Sequence, residues 1–421
     1  MHFAPLRQRN FALLWWAGLI SIAGDWTLRI ALPIYVLQLT GSALATSGAV
    51  IAALAPTLLV GLVAGVYVDR WDRRTVLLVV SVLQGVTLLP LLAVDSAAGL
   101  WIVYAVLFVQ SALSQFFIPA ENALLPSLVG ADQLPAANSL NSLNNNIGRL
   151  AGPALGGLLA ASLGLTGVVV VDAVSFLLAA ALVAGIRGRF AVARDAAAPS
   201  LGVRRELAEG LRTAAASPML RTLLTIGAAL SIGEGIMGGV FPVFVTGPLH
   251  GGARELGWTM SAQAVGGILG GFVGGRIASR IAPGPLLGWS LALFGLIDLA
   301  IFNYPRWAGM LWPGLVLFVV VGVPAVLGGV AWMTLLQQAT LDAYRGRIFS
   351  VVMVLEALAG LAGASLAGTL TDRLGVMNLL TVQGAMPILC AVGFALVSGR
   401  LGDRPNPAVV SPEREPVAEA S

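Results

Sequence analysis

Six ionisable side chains interrupt long apolar runs of this sequence: Asp25, Arg29, Arg149, Asp172, Glu234 and Glu356, with Asp298 nearer the end of another run. In a lipid environment each such charge costs at least ~2.5–3.5 kcal/mol on insertion scales, so a side chain kept there marks a pathway for an ion or a substrate. A carboxyl in that setting is suited to take up and release a proton, and a fixed guanidinium to draw in an anionic group. The chain has no lysine and only two histidines, His2 and His250, so carboxyls are the available proton carriers. Each residue also has a plainer reading. Asp25 can neutralise Arg29 one turn away, Arg149 can snorkel to the headgroups, and Glu356 stands at a depth where it can pair with Arg149.

These residues need a scaffold that holds them in lipid, and composition demands one. With 57% hydrophobic and 10% charged residues, the chain cannot cover a water-facing surface. Spanning segments must be helical, because backbone groups in lipid find partners within their own segment. A net charge of +4, carried entirely by arginine, gives no reason to expect nucleic acid as a partner. With Cys390 the one cysteine and His2 and His250 the only histidines, there is no histidine or cysteine set for zinc, haem or an iron cluster, and no cofactor is expected. The buried acids lie on separate segments without a nucleophile or histidine base, which argues against an enzyme, and no Gly-x-x-x-x-Gly-Lys loop is present for ATP.

Apolar runs place twelve spans near 11–39, 45–68, 75–95, 99–123, 140–163, 165–186, 220–246, 256–278, 284–303, 308–336, 348–370 and 376–398. The first run is about twice the apolar core of a signal peptide and is expected to remain as a span. With this division 19 arginines fall on the side of the termini and three, Arg254, Arg306 and Arg373, on the other, which predicts cytoplasmic termini in a cell membrane. Ser21-Ile22, Gly65 and Arg70 recur 210 residues later as Ser231-Ile232, Gly275 and Arg280, and Gly152 and Gly157 recur 211 later as Gly363 and Gly368. The expected organisation is therefore two parallel six-helix bundles, 1–186 and 220–400, joined by a linker 187–219 and followed by a disordered tail 401–421. Within the linker, Val203, Leu207 and Leu211 recur at helical spacing among arginines, which predicts an interfacial helix.

Two motifs remain. The loop after span two carries Gly65, Asp69, Arg70, Asp72, Arg73 and Arg74 within ten positions, and span five carries a small-residue stripe of Gly148, Gly152, Pro153 and Gly156. Glycines four apart let another helix approach closely, and the proline permits a bend. Twelve helices in two parallel halves with this loop resemble the major facilitator superfamily over essentially the whole chain to about residue 400. The loop has Asp72 where the superfamily usually has glycine. That departure, with Leu6 to Phe11, Leu39 to Ala43, Pro119 to Pro126 and Arg345-Gly346-Arg347, resembles the branch of siderophore, drug and macrolide exporters. The resemblance implies that Asp69 braces span two against the start of span eleven, Ile348 to Ser350, and that Arg73 meets Glu121 at the inner end of span four, forming a cytoplasmic gate. It also implies that the span-five stripe is of the antiporter type, and that spans one and seven line a central cavity with Asp25 and Glu234 facing the cargo. An arginine that many drug antiporters carry in span four is absent; Gln110 and Gln115 stand there.

The expected function is export of a small amphipathic organic compound, a drug, siderophore or metabolite, by alternating access in exchange for protons, by a monomer in the bilayer. The alternatives are proton-coupled uptake of a nutrient and a non-transporting sensor built on the same fold.

Overall fold

The computed structural model describes residues 4–61, 64, 68, 71–130, 133–188, 190, 203–278, 280–340 and 344–401. Gly65, Asp69 and Arg70 of the gate loop and the tail from 402 onward lie outside the described residues, as do the side chains of Arg149, Arg345, Val203 and Leu207. Among the described residues twelve α-helices follow in chain order: α1 Arg9–Thr40, α2 Ala43–Leu59, α3 Arg73–Thr87, α4 Leu100–Leu124, α5 Leu134–Ala184, α6 Val203–Ala216, α7 Pro218–Thr246, α8 Ala253–Ala278, α9 Pro283–Asn303, α10 Leu311–Gln338, α11 Arg345–Leu374 and α12 Val376–Leu401. Nine of these, among the described residues, are long and apolar enough to cross a membrane. The other crossings are α2, an apolar helix of 17 residues, the glycine-rich α8, and a second pass made by α5.

At ~1.5 Å per residue the 51 residues of α5 would span about 76 Å, far more than a ~30 Å hydrocarbon core. Gly164 breaks it with φ 63° and ψ −169°, a conformation essentially reserved for glycine. The arms 134–163 and 165–184 then fold back together, because both lie along α1. A methyl group added at Gly152 of the first arm would strike Trp26, and one added at Gly24 would strike Asp172 of the second. Twenty residues of straight helix would separate those two positions by about 30 Å.

Caps set the other turns. Gly41 closes α1 in a left-handed conformation, φ 60°, with its amide on the Leu37 carbonyl at 2.7 Å. Ser42 next to it opens α2 by accepting from the Ala45 amide at 3.3 Å. Asp72 opens α3, and Ser217 followed by Pro218 separates α6 from α7.

Each half packs its own core. Phe11, Leu77, Leu124 and Val183 form one cluster of the first half, and Leu32, Leu88, Val103 and Phe176 the other. In the second half Phe244, Phe302 and Phe318 form one cluster, joined by Ile34 of α1, and Leu223, Leu336 and Ile348 form the other, joined by Ala214 of α6. The repeat read from glycines 211 residues apart has a structural meaning. A methyl on Gly157 of α5 would lie 3.1 Å from Gly257 Cα of α8, and one on Gly368 of α11 would lie 3.1 Å from Ser47 Cβ of α2. The matched glycines thus make the two crossings between halves, first arm of α5 on α8 and α11 on α2. At the α5–α8 crossing the nearest atoms are backbone, and at the α11–α2 crossing Gly368 meets the Leu44 and Ser47 side chains, so each place fits a small residue.

Candidate functional site

On α1, Asp25 is half-buried and feels the charges of Arg29, one turn on, and of Asp172 on the second arm of α5. The Arg29 guanidinium is exposed and lies over the Trp26 ring, 5.4 Å from its centroid. Trp26 itself packs against Gly152 of α5. Asp172 is fully buried, at 0% exposure, and only one of its carboxylate oxygens has a hydrogen-bond partner. It was visible in the sequence as one more acid in an apolar run. Its position against α1, next to Asp25, was not.

In the second half Glu234 is exposed on α7. Its charge is felt by Glu356 of α11, whose carboxylate lies where a methyl on Gly227 would come within 3.1 Å of it, beside Trp332. The Trp332 indole is held by donating to the Leu223 carbonyl at 3.1 Å. Glu356 therefore belongs to the α7–α10–α11 side. Its expected partner Arg149 has a helical backbone position in α5, with its side chain outside the description. In each half a second acid thus lies within electrostatic reach of the first, Asp172 of Asp25 and Glu356 of Glu234.

The span-five stripe serves packing on α1. Methyl groups on Gly148, Gly152 and Gly156 would meet Ile22, Trp26 and the Thr27 backbone, the last at 2.7 Å from Thr27 Cα. Gly363, on the matched face of α11, meets Ile232 of α7 in the same way. Pro153 offers its carbonyl toward Gly257 of α8. Of the asparagines that open α5, Asn144 is buried and donates to the Trp15 carbonyl of α1 at 2.9 Å, tying the two helices together. Gln110 on α4 donates to the Gln84 carbonyl at 2.7 Å and the Thr87 hydroxyl at 3.0 Å of α3, so it braces the bundle.

At the arginine-rich end the structure corrects the expected pairing of Arg73 with Glu121. Arg73 donates to the Ala123 carbonyl at 2.8 Å, and Glu121 turns to α1, where a methyl on Gly18 would come within 3.1 Å of it. The last carbonyls of α4 lack helical partners and carry the negative end of the dipole, so one guanidinium nitrogen is held there, while Nε is buried without a partner. Arg74 does the same for α5, donating to the carbonyls of Val183 at 3.3 Å and Ala184 at 2.6 Å. Asp72 has its own work. One carboxylate oxygen accepts from the Thr75 amide and hydroxyl, both at 2.8 Å, and the other accepts from the Phe190 amide at 3.0 Å. Burial pushes this carboxyl up, but the Thr75 and Phe190 bonds and the Arg74 charge more than offset it, leaving it below the usual carboxylate range. Asp72 thus caps α3 and anchors the start of the linker, two tasks that glycine cannot perform. Nearby, Asn10 and Arg187 exchange amide–carbonyl bonds of 2.8 and 3.1 Å. The linker helix α6 is tied to α11 by Glu209 and Arg347, 2.9 Å apart.

A family model described as transmembrane secretion effectors matches residues 1–417. The multidrug efflux pump Tap of Mycolicibacterium fortuitum is 32% identical over 375 residues, 86% of this chain and 90% of that protein. Macrolide efflux protein A of Streptococcus pyogenes is 26% identical over 414 residues, 92% and 96% of the two chains. Among solved structures, a bacterial homologue of the iron transporter ferroportin in its inward-facing state superposes with a TM-score of 0.76 at 19% identity, over 94% of this chain and 99% of that one, and so shares the fold.

Proposed function

Because the chain belongs to the transmembrane secretion effectors, a family of the major facilitator superfamily, we propose that it exports a small amphipathic organic compound by alternating access in exchange for protons. The observation that carries this reading is the placement of acids. Asp25 and Glu234 stand at nearly matched positions of α1 and α7, the first helix of each half, and each has a second acid close enough to feel its charge. Protonation of such a pair changes the energy of whichever arrangement of the halves exposes it to water, and a proton and a cargo that favour different arrangements are thereby coupled. Multidrug and macrolide efflux proteins among the relatives support the direction of export and a drug as cargo.

In this reading the bundles 1–186 and 220–400 rock about the α5–α8 and α2–α11 crossings, the linker 187–219 and both termini are cytoplasmic, and the working unit is a monomer in the cell membrane. In the same reading Gly65, Asp69, Arg70, Arg73, Arg74 and Glu121 belong to the cytoplasmic gate, with Asp69 bracing span two against the start of α11 and the arginines Arg73 and Arg74 on the ends of α4 and α5. The test is flux in proteoliposomes. A panel of antibiotics and siderophores is loaded inside or outside and a pH gradient is imposed. Flux that follows the gradient and is lost in Asp25→Asn or Glu234→Gln supports the proposal; full gradient-driven flux in both variants removes their coupling role, and binding without flux removes transport.

A further inference from the structure

Asp172 is a costly residue that α5 has no structural need for. Its carboxyl is fully buried in a span, and one carboxylate oxygen has no hydrogen-bond partner. The other is served only by the Ser175 hydroxyl at 3.3 Å, which also donates to the Asp172 carbonyl at 2.8 Å. An ionised carboxylate so poorly solvated is far more expensive than an unpaired neutral group. Room for it exists because α1 presents Gly24, where a methyl would collide with the Asp172 carboxylate and the Ser175 hydroxyl.

The surroundings offer little neutralisation. From α1 it faces Asp25, with Arg29 a turn further on and turned to the exposed face over Trp26. From α3 the neighbour is Gly85, next to the neutral Gln84, and the arginines of that helix cap the far ends of α4 and α5. The repeat sharpens the contrast. The position 211 residues later is Gln383, which lies against Gly233 of α7 as Asp172 lies against Gly24 of α1. That amide is neutral and donates to Asp298 of α9 at 3.2 Å. At this helix contact one half thus has a neutral amide bonded to an acid and the other an acid near a second acid, and in each case one side-chain oxygen has no hydrogen-bond partner.

We propose that Asp172 and Asp25 share one proton at the contact of α1 with the second arm of α5, and that this pair, not Asp25 alone, is the coupling site. The inference rests on the proton-exchange reading above. Asp25, half-buried, is the member that meets water, and Asp172 is the buried store. Loading forms one carboxyl O–H with a proton taken from water on the external side. Release breaks that bond and returns the proton to water on the cytoplasmic side, leaving the pair with two negative charges in place of one.

The experiment is infrared difference spectroscopy on the full chain in lipid nanodiscs during a pH jump. A carboxylic-acid carbonyl component that vanishes on alkalinisation is expected in the wild type, lost in both Asp172→Asn and Asp25→Asn, and kept in Asp298→Asn. If Asp172→Asn fails to insert, Gly24→Ala, which drives a methyl against the carboxylate, is expected to shift or remove the component while both acids remain. Survival of the component in Asp172→Asn or in Gly24→Ala, or its displacement by sodium at fixed pH, overturns the shared-proton site. Loss as expected, in a protein whose flux ignores a pH gradient, supports the site and refutes proton exchange instead.

Discussion

Gly257→Ala is expected to pry open the α5–α8 seam between the halves, which is the external one in the proposed topology. The added methyl would lie 3.1 Å from Gly157 Cα and closer still to the Pro153 carbonyl oxygen, both backbone atoms that cannot swing away. Carbon–carbon contacts relax at ~3.5–4.0 Å, so α5 and α8 must separate by roughly 0.5–1 Å. Overpacking of this kind costs about 1–3 kcal/mol, and because the methyl is penalised only while the seam is closed, that cost shifts the closed-to-open ratio by roughly 5–150-fold. Ser47→Cys is a suitable reporter, since Ser47 is fully buried in the companion α2–α11 seam and faces Gly239 of α7. With Cys390 replaced by serine, the labelling rate of Cys at position 47 by an impermeant maleimide added outside is expected to rise within that range in Gly257→Ala. Gly271→Ala lies on the same helix with nothing within 4 Å of the added methyl and is expected to leave the rate unchanged. A wild-type labelling rate in a normally inserted Gly257→Ala protein would refute the claim that these glycines hold the halves together.

Asp72→Ala removes the cap of α3 and the anchor of Phe190, and is expected to lower stability by about 1 kcal/mol, read as a reduced melting temperature in detergent. The Asp72 carboxyl is held below its unfolded value, so its contribution is present above the unfolded pKa of about 3.9 and is lost as pH falls through the lower folded value; the melting temperature of Asp72→Asn should therefore decline less than wild type on acidification. Arg74→Lys keeps the charge but gives up the fork that spans two carbonyls of α5, and is expected to cost about 1 kcal/mol in the same assay. The partly exposed Glu209–Arg347 pair should be worth at most about 1 kcal/mol, and the charge-swapped double variant should recover what either single reversal loses, by thermal melting in a double-mutant cycle.

Much of the fold was legible because lipid imposes simple rules. Apolar length located the spans, and the break at Gly164 falls between the fifth and sixth of them as expected. The helical spacing read within 187–219 corresponds to α6, with Leu211 exposed and Ala214 in the core. The site was legible in depth but not in direction. Asp25 and Arg29 are one turn apart in any helix, yet the arginine stacks on Trp26 and the second acid beside Asp25 comes from α5. Arg73 stands near Glu121 in the chain's plan, yet the unsatisfied carbonyl of Ala123 holds it. Helical spacing states how far along an axis a residue lies; it does not state what occupies the facing surface.

From the amino-acid sequence alone follow the class of solvent, the twelve crossings, the repeat and the list of costly buried charges, because each depends on composition or on distance along one helix. The partner of each charge, the seams closed by Gly157 with Gly257 and Gly368 with Ser47, and the orphaned oxygen of Asp172 were decided only by tertiary packing. Which groups face each other depends on how helices rotate and cross. Those angles are chosen by side chains distant in sequence, all at once.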